Sequence, residues 1–258
     1  MNLEGLGAVV TGGGRGIGQA VARTLAEAGA RVVLAARTVT EIQAVARELG
    51  GAGCDVGAER CDVTDPEAVE GLRRRALERL GAVDILVNNA GVATSAPLKS
   101  QTLEEWRRLF AVNVEGAFLV TRAFLPGMIE RGRGRVVNVA SVAGRTGAPY
   151  LAAYTASKHA LVGFTRALAA EVAARGVTVN AVCPGYVDTP LTERSIESIV
   201  ARTRMNAQEA RRRLVATNPQ GRMIEPDEVA FLVAALCDDR ARGINGQAIG
   251  IDGGAFLG

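Results

Sequence analysis

The chain has 258 residues, 48% of them hydrophobic, and a net charge of +3, enough apolar material for one large α/β domain or two small ones. Its arginines are scattered among 27 acids and aromatics make up only 4%, so the clustered basic surface and stacking platforms of a nucleic-acid binder are missing. Four cysteines without a CxxC pair and a single histidine, His159, exclude a zinc-ligand pattern and fit reduced thiols in a cytoplasmic chain.

The first apolar run, 7–10, leads into Thr11-Gly12-Gly13-Gly14-Arg15-Gly16-Ile17-Gly18 and then a helical pattern over 16–28. Glycines permit a tight turn there, and the free N–H groups of a helix start favour an anion such as a pyrophosphate. The spacing Gly12-x3-Gly16-x-Gly18 differs from the G-x-G-x-x-G of many dinucleotide enzymes. Further apolar runs follow at 31–35, 83–87, 135–139, 177–182 and 247–251, with a weaker strand between 52 and 61. They are rich in Val and Ile and mostly lack polar alternation, as strands buried on both faces of a parallel sheet do. Helical patterns at 39–49, 66–80, 103–130, 150–175 and 226–236 separate them. The β-α-β order predicts a doubly wound, Rossmann-type parallel sheet of about seven strands with helices on both faces. No Pro/Gly/Ser-rich linker divides residues 1–258, so one domain is expected. The basic runs 73–75 and 211–213 read as solvated helix faces.

Residues 188–220 are polar, Arg-rich and only partly helix-like, and they leave the carboxyl end of a strand. Ligands bind at that end of open α/β sheets, so this segment is expected to be a lid over a substrate. The first residues lack a basic and apolar leader, and no apolar run approaches about 20 residues, so neither export nor membrane spanning is expected.

Tyr154 and Lys158 stand four apart in Tyr-Thr-Ala-Ser-Lys, and Ser141 lies thirteen residues upstream. Residues i and i+4 share a helix face, so a phenol and an ammonium can enter one cavity. The chain holds only two lysines, Lys99 and Lys158, against 28 arginines. Lysine at 158 therefore points to a compact ammonium that a planar guanidinium cannot imitate. A cation beside the phenol is expected to favour phenolate and lower its pKa from about 10. His159 faces elsewhere on the helix and is read as structural.

These motifs belong to a longer set. Asp62-Val63 follows the third strand and Asn88-Asn89-Ala90-Gly91 the fourth. Asn113 lies in Asn-Val-Glu-Gly, then come Ser141, Tyr154-x3-Lys158 and Pro184-Gly185-x3-Thr189. Gly246-Gln247 and Asp252-Gly253-Gly254 close the series. In this order, and almost end to end, the chain resembles the short-chain dehydrogenase/reductase family in its form of about 250 residues.

The resemblance implies hydride transfer between a nicotinamide cofactor and a ketone or secondary alcohol. Tyr154 would be the general acid or base, Lys158 would hold the nicotinamide ribose, and Ser141 would donate to the substrate carbonyl oxygen. Asn113 resembles the residue that holds a water linking Lys158 to solvent. The cofactor would lie against Gly12, Gly14, Arg15, Gly16, Ile17 and Gly18, with Asp62 and Val63 at the adenine and Asn89, Ala90 and Gly91 flanking a ribose. Pro184 and Gly185 would break the sixth strand near the nicotinamide ring, and Val187 and Thr189 would meet its carboxamide. Where NAD enzymes of this kind carry an Asp for the ribose 2′-OH, this chain has Ala36 followed by Arg37. Arg37 and Arg15, with no carboxylate, suit a 2′-phosphate, so NADP(H) is expected over NAD(H).

The stretch 185–193 is similar to β-ketoacyl reductases, polyketide ketoreductases and 3-hydroxybutyrate dehydrogenases. A small-molecule carbonyl or alcohol substrate follows, foremost a 3-oxoacyl thioester or related β-keto compound. A free small ketone, hydroxy acid or sugar is the alternative. Candidate walls are 143–150, Tyr186 and 191–214. The arginines of the lid either attract an anionic carrier or form a helix's wet side. Family members pair helices like 103–130 and 150–175, so a homodimer or homotetramer is expected. A silent nucleotide-binding scaffold is the reading from another class; it predicts loss of Tyr154 or Lys158, and both are present.

Overall fold

Alternate residues of the apolar runs enter two different cores. The chain, a computed structural model describing residues 1–257, has strands β1 (Gly7–Thr11), β2 (Arg31–Ala36), β3 (Val56–Arg60), β4 (Ile85–Asn88), β5 (Gly134–Val139), β6 (Val177–Pro184) and β7 (Ala248–Ile251). Ala8, Val10, Val32 and Leu34 pack in one cluster, and Val9, Val33 and Ala35 in another. Successive side chains of a strand point to opposite faces, so both faces must be covered. Helices α1 (Gly16–Glu27), α2 (Val39–Gly51) and α9 (Pro226–Cys237) cover the first. Helices α3 (Pro66–Leu80), α5 (Gly116–Glu130) and α6 (Ala152–Val172) cover the second.

All neighbouring strands are parallel, in the order β3-β2-β1-β4-β5-β6-β7. The expected doubly wound Rossmann-type sheet is the one found. The chain runs outward from β1 to β3, returns, and continues from β4 on the other side. At that reversal the connections leave the strand ends in opposite directions and open a crevice above β1 and β4.

Two segments differ from the sequence expectation. The helix over 103–130 is not regular: α4 (Leu103–Phe110) passes through a π-helical turn, Ala111–Glu115, into α5. The same stretch is long and apolar enough, with a mean hydropathy of 1.3, to cross a membrane by length and composition, although Asn113, Glu115 and Arg122 interrupt its apolar run. Here its Val120, Phe124 and Met128 pack on the sheet. Residues 188–220 are mainly helical, as α7 (Pro190–Arg202) and α8 (Ala207–Val215). A capping box starts α8: Asn206 accepts from Glu209 N at 2.9 Å while Glu209 accepts from Asn206 N at 2.9 Å, satisfying two otherwise unpaired N–H groups.

Candidate functional site

The glycine turn rises from the end of β1 and is shaped by close backbone approaches. Gly12 has φ 66°, and a side chain there would meet Ala90 Cα at 3.0 Å. Gly18 is crowded as well, because a Cβ would collide with the Gly12 carbonyl. Asn89 ties the turn to β4, its Nδ2 donating to Thr11 O and Gly12 O at 3.0 and 3.1 Å. The first turn of α1 has neither a side-chain cap nor an acidic residue, so its N–H groups and dipole remain available to an anion.

A cleft of about 190 Å³ runs over this turn. Gly12, Gly14, Arg15, Gly16, Ile17, Arg37, Asp62, Val63, Asn89, Ala90, Gly91 and Thr189 all line it, so most residues expected at a cofactor are brought together. Gly18, Tyr154, Lys158, Pro184, Gly185 and Val187 do not line it, and neither do Asn113 and Ser141. Val187 is in the core instead, held by a parallel bridge to Ile224. Gly185 lies against Asp252, whose Cα would be 3.3 Å from an added Cβ. A larger cavity of about 380 Å³ between α3 and α5 contains none of the expected site residues. Size alone is therefore a poor guide to the site.

The adenosine end carries two acids that the sequence reading did not weigh against the arginines. Arg15 Nη1 pairs with Glu41 Oε1 at 3.1 Å, and Arg37 Nη1 stands 4.0 Å from Asp62 Oδ2. Glu41 lies in the first turn of α2, where an acid complements the helix dipole. Both pairs are largely exposed, so they are weak and a phosphate can displace them.

At the nicotinamide-side end, β5 delivers Ser141 and the start of α6 delivers Tyr154 and Lys158. Ser141 Oγ accepts from Ala143 N at 3.1 Å and donates to Pro184 O at 3.5 Å, and its hydroxyl is near enough to the Tyr154 phenol to pull that group's pKa down. Lys158 Nζ donates to Val139 O at 2.9 Å and sits 5.8 Å from the Tyr154 ring centre. Asn113, on the π-helical turn, clamps both backbone groups of Val92 at 2.9 Å and donates to Ser157 Oγ at 3.0 Å. Ser157 in turn donates to Tyr154 O at 2.7 Å. Ser157 was missed in sequence, although it sits inside the Tyr-Thr-Ala-Ser-Lys motif. Gly91 joins cluster and cleft: a Cβ there would lie 3.4 Å from Asn113 Oδ1 and 3.7 Å from Lys158 Nζ.

Burial sets the proton affinities. The Tyr154 phenol is pushed up to about 12 by desolvation, against the pull of the Ser141 hydrogen bond. The expected lowering counts the positive charge of an oxidised nicotinamide together with Lys158; among the chain's own groups burial outweighs Lys158, whose ammonium is directed at a backbone carbonyl. Lys158 itself is brought down to about 8 by burial, within reach of proton exchange near neutrality.

The segment after β6 brings Tyr186 near Tyr154 and starts α7 at Thr189. Helices α7 and α8 close on a separate apolar cluster of Ile196, Ala210, Leu214 and Met223, with Tyr186 against it. Tyr150 is 63% exposed, and its φ of 67° is the one left-handed non-glycine backbone among the described residues. The arginines of α7 and α8 divide: Arg211 bridges Asp188 and Glu193, Arg202 donates to Ser95 O, and Arg194 lines the cleft.

A cleft shaped for a dinucleotide, ending beside a buried lysine and a half-buried tyrosine, belongs to an oxidoreductase of CH–OH and keto groups. More narrowly, the chain is a member of the short chain dehydrogenase family, whose model matches residues 7–199. It is 41% identical over 249 residues to the granaticin polyketide synthase putative ketoacyl reductase 1 of Streptomyces violaceoruber, spanning 96% of this chain and 92% of that one. It is 38% identical over 257 residues to the 3-oxoacyl-(acyl-carrier-protein) reductase of Vibrio cholerae, spanning 100% of both. Among crystal structures, an actinorhodin polyketide ketoreductase variant with NADPH matches with a TM-score of 0.94 and 40% identity over 99% of both chains.

Proposed function

We propose that the chain reduces the keto group of a 3-oxoacyl thioester or related β-keto compound, using NADPH. The observation that carries this reading is the Lys158 ammonium, 5.8 Å from the Tyr154 ring centre and 3.7 Å from where a Cβ on Gly91 would stand, with Gly91 itself lining the cleft. The residues fit the cofactor: an uncapped helix start, glycines where a Cβ would collide, and guanidinium groups at the adenosine end. Bound there, the dihydronicotinamide supplies hydride to the carbonyl carbon.

The chain's own groups handle the oxygen. Ser141 donates to the carbonyl oxygen as negative charge grows on it. Tyr154 gives up its proton to that oxygen. A phenol pushed up by burial is protonated at neutral pH and so is in the form that can serve as the acid. Lys158, near 8, can hand a proton on to the phenolate side. Asn113 fixes the loop at Val92, and its Oδ1 remains directed toward Gly91, compatible with holding a water near Lys158. Helices α7 and α8 form the substrate lid, with Tyr186 and Tyr150 at its edges. We further infer a homodimer or homotetramer built on the helices that expose Trp106 and Phe118. The four free thiols support a cytoplasmic location.

The test is NADPH oxidation with 3-oxoacyl thioesters, free ketones and, in reverse, hydroxy acids and sugars. Turnover should be fastest with the thioesters. Tyr154→Phe should lower kcat by about 10²–10⁴-fold, the usual range for a general acid, while the NADPH Kd stays within about twofold. Equal turnover by the variant, or NADPH binding without turnover on any substrate, would reject the reading.

A further inference from the structure

We propose that Arg194, on the lid helix α7, is a coenzyme-binding residue that pairs with the pyrophosphate and so links coenzyme binding to lid position. The inference rests on the nicotinamide reading above and adds to it a contact from outside the glycine turn.

Three guanidinium groups line the nucleotide cleft: Arg15, Arg37 and Arg194. Arg15 shares its charge with Glu41 at 3.1 Å, and Arg37 faces Asp62 at 4.0 Å. Arg194 has no ion pair or hydrogen bond among the described residues. Of the acids close to it in sequence, Asp188 and Glu193 are both held by Arg211, and Glu197, three residues on along α7, makes no ion pair with it. Arg194 is therefore the uncompensated positive charge of the cleft. An exposed guanidinium that no carboxylate holds loses little by turning to a bidentate anion.

Position selects which anion. Arg194 lies in the first turns of α7, the helix that begins at Pro190 directly after Thr189. Thr189 abuts the glycine turn: a Cβ on Gly16 would be 3.1 Å from Thr189 Cγ2. Gly16 opens α1, where the free N–H groups favour the pyrophosphate. Arg37 and Thr38, at the far end of β2, serve the other, adenosine end of the cleft. Arg194 is thus on the pyrophosphate side, carried by an element that also walls the substrate space. A charge contact from α7 to the coenzyme pulls that wall toward the bound dinucleotide.

The placement predicts a pattern of affinities and not merely a loss. NADPH and NADH share the pyrophosphate and differ only at the 2′ position. Arg194→Ala should weaken binding of both by the same factor, about 5–20-fold, as loss of one charge-assisted pair does. Arg194→Lys should recover most of it. Kd values come from calorimetric or fluorescence titration of the intact protein with each coenzyme, without substrate. A loss confined to NADPH would place Arg194 on the 2′-phosphate and overturn the assignment, as would unchanged Kd values for both. Failure of the wild-type protein to bind either coenzyme would instead sink the nicotinamide reading itself, and the two failures are told apart in the same titration. Lid coupling has its own readout: saturating NADPH should slow proteolysis within 190–215 in the wild type and protect Arg194→Ala several-fold less. Equal protection at saturation would remove the lid from the proposal.

Discussion

Replacing Lys158 by Met measures how far burial, and not a charged neighbour, governs the proton chemistry of the site. Lys158 is 5% exposed, its ammonium bonds the Val139 carbonyl, and its pKa is brought from the ordinary 10.5 to about 8. Between those values the unfolded chain binds a proton that the folded one does not, so this residue makes stability rise with pH across the window. It is a base with a depressed pKa: its contribution is complete above 10.5 and is lost as the pH falls through about 8. At roughly 1.4 kcal/mol per pH unit the whole gap is worth about 3 kcal/mol, of which about 2 falls between pH 7 and 10. Met carries no proton and lacks this increment. Loss of the bond to Val139 also costs about 1–3 kcal/mol, but independently of pH. Urea unfolding of both proteins at pH 7 and pH 10 gives a difference of differences. The Cys61 and Cys237 thiols and the Tyr154 phenol, all pushed up by burial, titrate in both proteins and cancel, and both proteins carry Cys183→Ala because that thiol interacts with the Lys158 charge. The wild type should gain about 2 kcal/mol on the variant between the two pH values. No relative gain, or a relative loss, would refute the burial argument.

Arg37→Asp removes one guanidinium from the adenosine end and adds a carboxylate beside Asp62, which should lower the NADPH/NADH ratio of kcat/KM by about 10–100-fold; steady-state kinetics with both coenzymes check it, and an unaltered ratio would sink the assignment. Gly18→Ala puts a methyl into the Gly12 carbonyl and 2.5 Å from Asn89 Nδ2. It should cost about 1–3 kcal/mol in a thermal melt and weaken NADPH binding, because the turn itself must shift.

The sheet was readable because its physics is local. Val9, Val33, Leu86 and Val136 are all buried in strands covered on both sides, so the runs carry no polar alternation to confuse them with helices. The weak strand, β3, is the edge strand with only half-buried side chains, so its pattern is faint. The π-helical turn at 111–115 left no mark in the apolar periodicity, because one extra residue per turn barely moves a wide apolar stripe. Helices α7 and α8 were hidden by charge, yet the Asn206-x-x-Glu209 box and the Thr189-Pro190 start were there to be read. The spacing of Ser141, Tyr154 and Lys158 predicted their meeting. It did not predict the direction of the phenol's pKa, which depends on packing from β5, β6 and the lid and not on the four-residue interval. Glu41 and Arg194 were invisible as cleft residues for the same reason: only the tertiary fold brings α2 and α7 to the glycine turn.

The separate apolar cluster beneath α7 and α8 has a consequence for how such a protein can diverge. Ile196, Ala210, Leu214 and Met223 pack with one another and not with the strands that carry Ser141 or with the carbonyl that anchors Lys158. Substitutions there reshape α7 and α8, which we propose to be the substrate lid, and leave Ser141, Tyr154 and Lys158 in place. Descendants of one ancestor can thus acquire different tastes in substrate while inheriting the same reaction.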